Sequence, residues 1–215
     1  MTVEGTSRQR ASLRQTRWRI GSLYILHRGL PFCAMALAAL LSLAAAAPTR
    51  GQDNPSTEYQ VKAAFVFNFA KFVEWPVDTF KSENDPIVFC VFRHDPFGSA
   101  LDEIIRGKAI NNRAVLARRI TELPDLKSCQ LIFVSSVEYG HLSEVLKSLK
   151  GTSALVVGES EGFAERGGGI QFFPEDKKLR FAVNVDAIQR ARLTVSSKLL
   201  ALARIVHDPV HPRGN

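Results

Sequence analysis

PIVFCVF, residues 86–92, is apolar from end to end and rich in the β-branched and aromatic side chains that suit a pleated surface. A short apolar run without alternation fits a strand covered on both faces, not one washed by solvent on one side. The same signature recurs downstream at Cys129–Val134 (CQLIFV) and Ser153–Val157, with Arg113–Ala117 as a further strand ahead of both. Helical patterns separate these runs. Asp95–Pro96 opens one that reaches about Arg106, with Asp as N-cap and Pro in the first turn, and Val137–Leu149 carries another. Gly169–Phe173 and Leu179–Asn184 flank the turn PEDKK, and the apolar stretch Val195–Val206 reads as a closing helix before the tail 207–215. Buried strands alternating with helices predict an α/β fold: a three-layer sandwich with a mostly parallel sheet flanked by helices, in a single domain over residues 58–206.

Upstream of the first strand lies EYQVKAAFVFNFAKFVEW, Glu58–Trp75, which Ser56 or Thr57 can cap and Pro76 stops. Its phenylalanines fall all round the helix, the pattern of a buried helix. Asn68 and Lys71 interrupt the apolar ring and mark an exposed edge. Core packing is the simplest role for this segment. The alternative is that Phe65, Asn68, Phe69, Lys71 and Phe72 form part of a partner or dimer surface, because aromatic residues are enriched at interfaces.

The beginning of the chain reads as an address, not as fold. Residues 1–47 hold six arginines against one acid, Glu4, and from Phe32 to Ala47 every residue is apolar except Ser42. A basic n-region, an apolar h-region and the small residues Ala44–Ala46 form a signal peptide in the expected order. The apolar run is shorter than the roughly 20 residues that span a bilayer, so cleavage and export are expected over a retained anchor. Residues 48–57 then form a flexible N-terminus of the mature protein. The whole chain carries +7, but from Pro48 onward 22 Lys and Arg face 20 Asp and Glu. The basic balance belongs to the leader and gives no support to nucleic-acid binding.

Cys33 leaves with the leader, so Cys90 and Cys129 remain. Two cysteines in an exported domain point to one disulfide. Free buried thiols and half of a metal site are the alternatives; no C-x-x-C spacing exists and only His94 lies near either cysteine in sequence. No cofactor is expected.

The other candidate sites are each matched by a plain structural reading. His94–Asp95 follows the first strand, where open α/β sheets bind ligands, yet Asp95 before Pro96 is also an ordinary helix start. Gly158 and Glu159 open GESEGFAERGGG, which matches neither phosphate-loop pattern, so turns needing positive φ explain its glycines better. Ser196–Ser197–Lys198 lacks the spacing of a serine hydrolase and reads as a helix cap. His94, His141, His207 and His211 stand far apart and form no metal-binding pair.

Six stretches together carry a resemblance: EYQVKAAFVFNFAKFVEWP (58–76), CVFRHDPFG (90–98), SCQLIFVSS (128–136), VVGESEGFAERGGGIQF (156–172), LRFAVNVDA (179–187) and SSKLLALAR (196–204). In order and spacing they resemble the YfiR family of periplasmic proteins. The resemblance implies an α/β sandwich, often dimeric, with a disulfide at positions that look like Cys90 and Cys129. It also implies repression of a membrane-bound diguanylate cyclase through that enzyme's periplasmic portion, which lowers cyclic di-GMP and biofilm formation. Some members have a second cysteine pair, which this sequence lacks. Two other functions compete with this one. The first is a periplasmic small-molecule sensor, linked to an uptake system, with His94, Asp95, Gly158 and Glu159 as its ligand loop. The second is a hydrolase built on Ser197 or Asp95.

Overall fold

The computed structural model describes residues 55–209; the expected signal peptide, residues 48–54 of the expected flexible segment 48–57 and the last residues of the tail lie outside the described residues, while residues 55–57 of that segment are helical. In chain order the strands are β1 (Val73–Glu74), β2 (Ile87–Phe92), β3 (Ala109–Ile110), β4 (Arg113–Ile120) and β5 (Leu131–Val134). They continue as β6 (Leu155–Gly158), β7 (Ile170–Glu175), β8 (Lys178–Asn184), β9 (Thr194–Val195) and β10 (Arg204–Val206). The α-helices are α1 (Pro55–Lys71), α2 (Ala100–Ile105), α3 (Leu142–Ser148), α4 (Val185–Arg190) and α5 (Ser197–Leu200). Eight strands make one sheet in the order β10-β8-β7-β6-β5-β2-β4-β3, and β1 pairs with β9 in a separate two-stranded ribbon. Within the large sheet only β7–β8 and β3–β4 run antiparallel.

The unbroken apolar pattern of PIVFCVF now has its cause. All six residues of β2 are buried, Phe89 and Val91 toward one face of the sheet, Val88, Cys90 and Phe92 toward the other. The first face packs under α1 and α2 through Phe69, Phe97, Leu101 and Phe133; the second packs under α3 and the 3-10 turn Leu123–Ser128. A strand with apolar layers on both sides cannot alternate.

The Cys90 and Cys129 sulfurs are joined, with their Cα atoms 5.9 Å apart, tying β2 to the end of the 3-10 turn that leads into β5. Both cysteines are buried in the second layer.

Four sequence expectations are corrected. Helix α1 ends at Lys71 instead of Trp75, because Val73 leaves it to pair with Val195 in the β1–β9 ribbon; Ser56 and Thr57 lie inside it, behind a proline in the first turn. Helix α2 begins at Ala100 and not at Asp95, whose carboxylate instead accepts the Phe97 N–H (2.8 Å) in a preceding turn. Val195–Val206 is not one helix. Ser196 caps the single turn α5, accepting from the Lys198 N–H (3.3 Å), and the β-branched pair Ile205–Val206 then runs extended beside β8. The expected helix Val137–Leu149 starts as a 3-10 turn, Ser136–His141.

The Gly-rich segment divides into two kinds. Gly162 and Gly167 have positive φ, +72° and +97°, as turn chemistry requires. Gly158 and Gly168 do not. A Cβ on either would lie 2.2 Å or 2.1 Å from the Phe163 ring, which is fully buried between them. These two glycines make room for an aromatic plug against the end of β6.

Candidate functional site

Strand β2 is followed in the chain by β4 on one side of it and β5 on the other. The connections after β2 and β5 therefore diverge, one entering α2 on the first face, the other entering α3 on the second. The crevice between such loops is where open α/β sheets place ligands. The residues that sequence reasoning assigned to a ligand loop lie around it, at the carboxyl ends of β2 and β6 with β5 between them.

Here the crevice holds the chain's own side chains. Glu159, directly after β6, accepts hydrogen bonds from the Tyr59 hydroxyl (3.0 Å) and the Ser136 N–H (3.0 Å), and pairs with the Lys62 ammonium at 2.6 Å. The Lys62 and Glu159 side chains are each only 6 % exposed. Lys62 also meets Glu58 at 2.5 Å, one helical turn earlier. The Tyr59 ring lies edge-on to Phe97, which in turn meets Phe133, so one tyrosine bridges the loops after β2 and β6. Burial, and next the negative charge of Glu159, push the Tyr59 phenol well above its ordinary range, so it stays a donor.

Asp95 and His94 do not act together. Asp95 is engaged by the Phe97 N–H and by Arg119 Nε (2.8 Å), while His94 is exposed. Arg119 also forms a two-pronged bond to Asp102 (2.7 and 2.9 Å) and donates to the Gly98 carbonyl. That guanidinium binds the turn and the start of α2 to β4, and its hydrogen bonds hold the Asp102 carboxyl below the usual carboxylate range. The Ser135 and Ser160 hydroxyls, next in the chain to Ser136 and Glu159, are buried without a hydrogen-bond partner among the described residues.

Tyr59, Lys62 and Ser136 escaped the sequence reading. A signal was present: a lysine on an otherwise apolar helix needs a counter-ion, and Glu58, Tyr59 and Lys62 share a face at helical spacing.

On α1, Asn68 and Lys71 are exposed as expected, and Phe72, the residue after the helix, is 36 % exposed. The suggested surface is corrected at Phe69, which is 1 % exposed among Phe65, Phe172 and Phe181, with ring centroids 4.9–5.9 Å away. Phe65 is half-buried in the same cluster. What remains outward is a stripe of Val61, Asn68 and Phe72, at i, i+7 and i+11, with Lys71 beside it. Among the described residues no group of three or more His, Cys, Asp or Glu is placed to hold a metal ion, and no helix is long and apolar enough to cross a membrane.

Fold and site together define a disulfide-tied, doubly wound α/β domain whose strand-end crevice is closed by a buried ion pair from its first helix. The chain belongs to the YfiR/HmsC-like family, whose model matches residues 59–204. No curated protein matches it. Among solved structures it is similar to a conserved domain protein from Vibrio cholerae O1 biovar El Tor, at 11% identity and a TM-score of 0.45, covering 68% of this chain and 59% of that one. It is also similar to an ABC domain in complex with L-Trp from Streptococcus pneumoniae, at 9% identity and a TM-score of 0.46, covering 67% and 60%. The chain thus spans about 60% of the length of these structures.

Proposed function

We propose that this protein is a non-enzymatic periplasmic regulator that binds and represses the periplasmic part of an inner-membrane diguanylate cyclase, lowering cyclic di-GMP and biofilm formation. The observation that carries the reading is family membership over residues 59–204. The buried Cys90–Cys129 bridge supports an oxidising compartment, and the leader sequence supports export.

The outward stripe that runs along α1 and onto Phe72 just after it is the docking surface in this reading. Phe72 offers a half-exposed ring that a partner can bury, with Asn68 and Lys71 as its polar rim. Replacing Phe72 by Glu weakens binding to the purified periplasmic portion of the cyclase by about 2 kcal/mol, the range of an interface anchor, and leaves the melting temperature within a few degrees. Undiminished binding by the folded variant would remove α1 as the docking site.

A further inference from the structure

A second opening lies away from the strand-end crevice. Strand β7 begins opposite Val157, so the first residues of β6 lack a neighbour on that side, and α3, α4 and the loop before β7 surround the gap. The gap is a cavity of about 590 Å³, within the range that takes a drug-sized molecule. Its floor is apolar, formed by the buried side chains of Leu149, Leu155, Val156 and Ile188. Two glycines keep its wall clear. A Cβ at Gly167 would stand 3.3 Å from Leu146 and 3.4 Å from the Arg190 guanidinium, and one at Gly169 would stand 3.1 Å from Leu155.

The rim is basic. Lys147, Lys150, Arg166 and Arg190 all line the cavity and are exposed, and no Asp or Glu is among its described lining residues. Arg190 is held by Asp208. Arg166 lies over the Tyr139 ring (5.1 Å), and neither it nor Lys147 nor Lys150 has a carboxylate partner among the described residues. Apolar surface below and uncompensated positive charge above select one kind of molecule.

We propose that this cavity is a binding site for a small amphiphilic anion, an apolar body carrying one carboxylate, sulfonate or phosphate group. The body would lie on Leu149, Val156 and Ile188 and the acidic group would face Lys147, Lys150 and Arg166. The proposal rests on the cavity alone, so it stands or falls independently of the cyclase.

The test uses the protein isolated from its native host and two fluorescent probes of similar shape, the anionic 8-anilinonaphthalene-1-sulfonate and the neutral N-phenyl-1-naphthylamine. The expected result is saturable binding of one sulfonate probe per chain, about tenfold tighter than the neutral one. Lys147→Glu with Lys150→Glu weakens the sulfonate probe by about tenfold or more and spares the neutral one. Lys177→Glu with Lys178→Glu, the same change of net charge on the β7–β8 hairpin, leaves both unchanged. All four lysines are exposed, so the fold survives, and unaltered melting curves check this. Equal loss from both double variants would reduce the effect to net charge and overturn the proposal. So would sulfonate binding that the Lys147/Lys150 reversal leaves intact, or no saturable binding.

Discussion

Lys62 has two counter-ions, Glu58 one turn earlier on its own helix and Glu159, 97 residues away, and of the two only Glu159 is as deeply buried as the lysine. The Lys62 and Glu159 side chains are nearly out of solvent, so removing one partner strands the other's charge in a poorly solvated site. Lys62→Met is expected to cost about 3–5 kcal/mol in urea unfolding, and Lys62→Met with Glu159→Gln to cost less than that single change. At this scale the sequence was legible in part. Positive φ, the reason the sequence suggested for its clustered glycines, accounts for Gly162 and Gly167, whereas Gly158 and Gly168 make room for the Phe163 ring. Local turn chemistry is visible in a sequence window; the approach of an aromatic ring to two backbone segments is a property of the assembled fold.

Among the elements, β2, β5 and β6 were readable because burial on both faces writes itself as an uninterrupted apolar run. The β7–β8 hairpin was equally legible, and its tip Asp176–Lys177 takes positive φ at both positions, as a two-residue primed turn requires. The closing segment was not legible. Its apolar residues suit a helix as well as an edge strand, and only the free edge of β8 decides between them. Arg119 shows how one side chain joins elements, holding β4 to the turn and helix that follow β2. Its hydrogen bonds lower the Asp102 pKa in the folded state, so the stability they add is complete above the ordinary aspartate range near about pH 4. That stability is lost as pH falls through the depressed value. Urea unfolding is expected to separate wild type from Arg119→Gln clearly at about pH 7, with the gap narrowing by about pH 2 as Asp102 protonates. A gap of constant width would locate the role of Arg119 in packing.

For the molecule as a whole, the disulfide spans 39 residues between the central strand and the entry to its neighbour. In the chain-entropy account a loop of that length is worth roughly 4 kcal/mol, a large part of the 5–15 kcal/mol typical of a domain. Cys90→Ser with Cys129→Ser should therefore lower the melting temperature markedly and reduce the amount of protein in the periplasm; an unchanged melting temperature would show that the bridge adds no stability. The three-layer architecture followed from the sequence because each layer leaves its own period. The closed crevice did not, since it joins the loops after β5 and β6 to a helix more than 70 residues upstream of the first of them. Repression of a diguanylate cyclase is the central claim. Its most direct test is the cellular level of cyclic di-GMP in the native host with this gene deleted, and again with the protein restored to the periplasm. The account predicts a rise on deletion that restoration reverses; an unchanged level in cells that normally express the protein would contradict it.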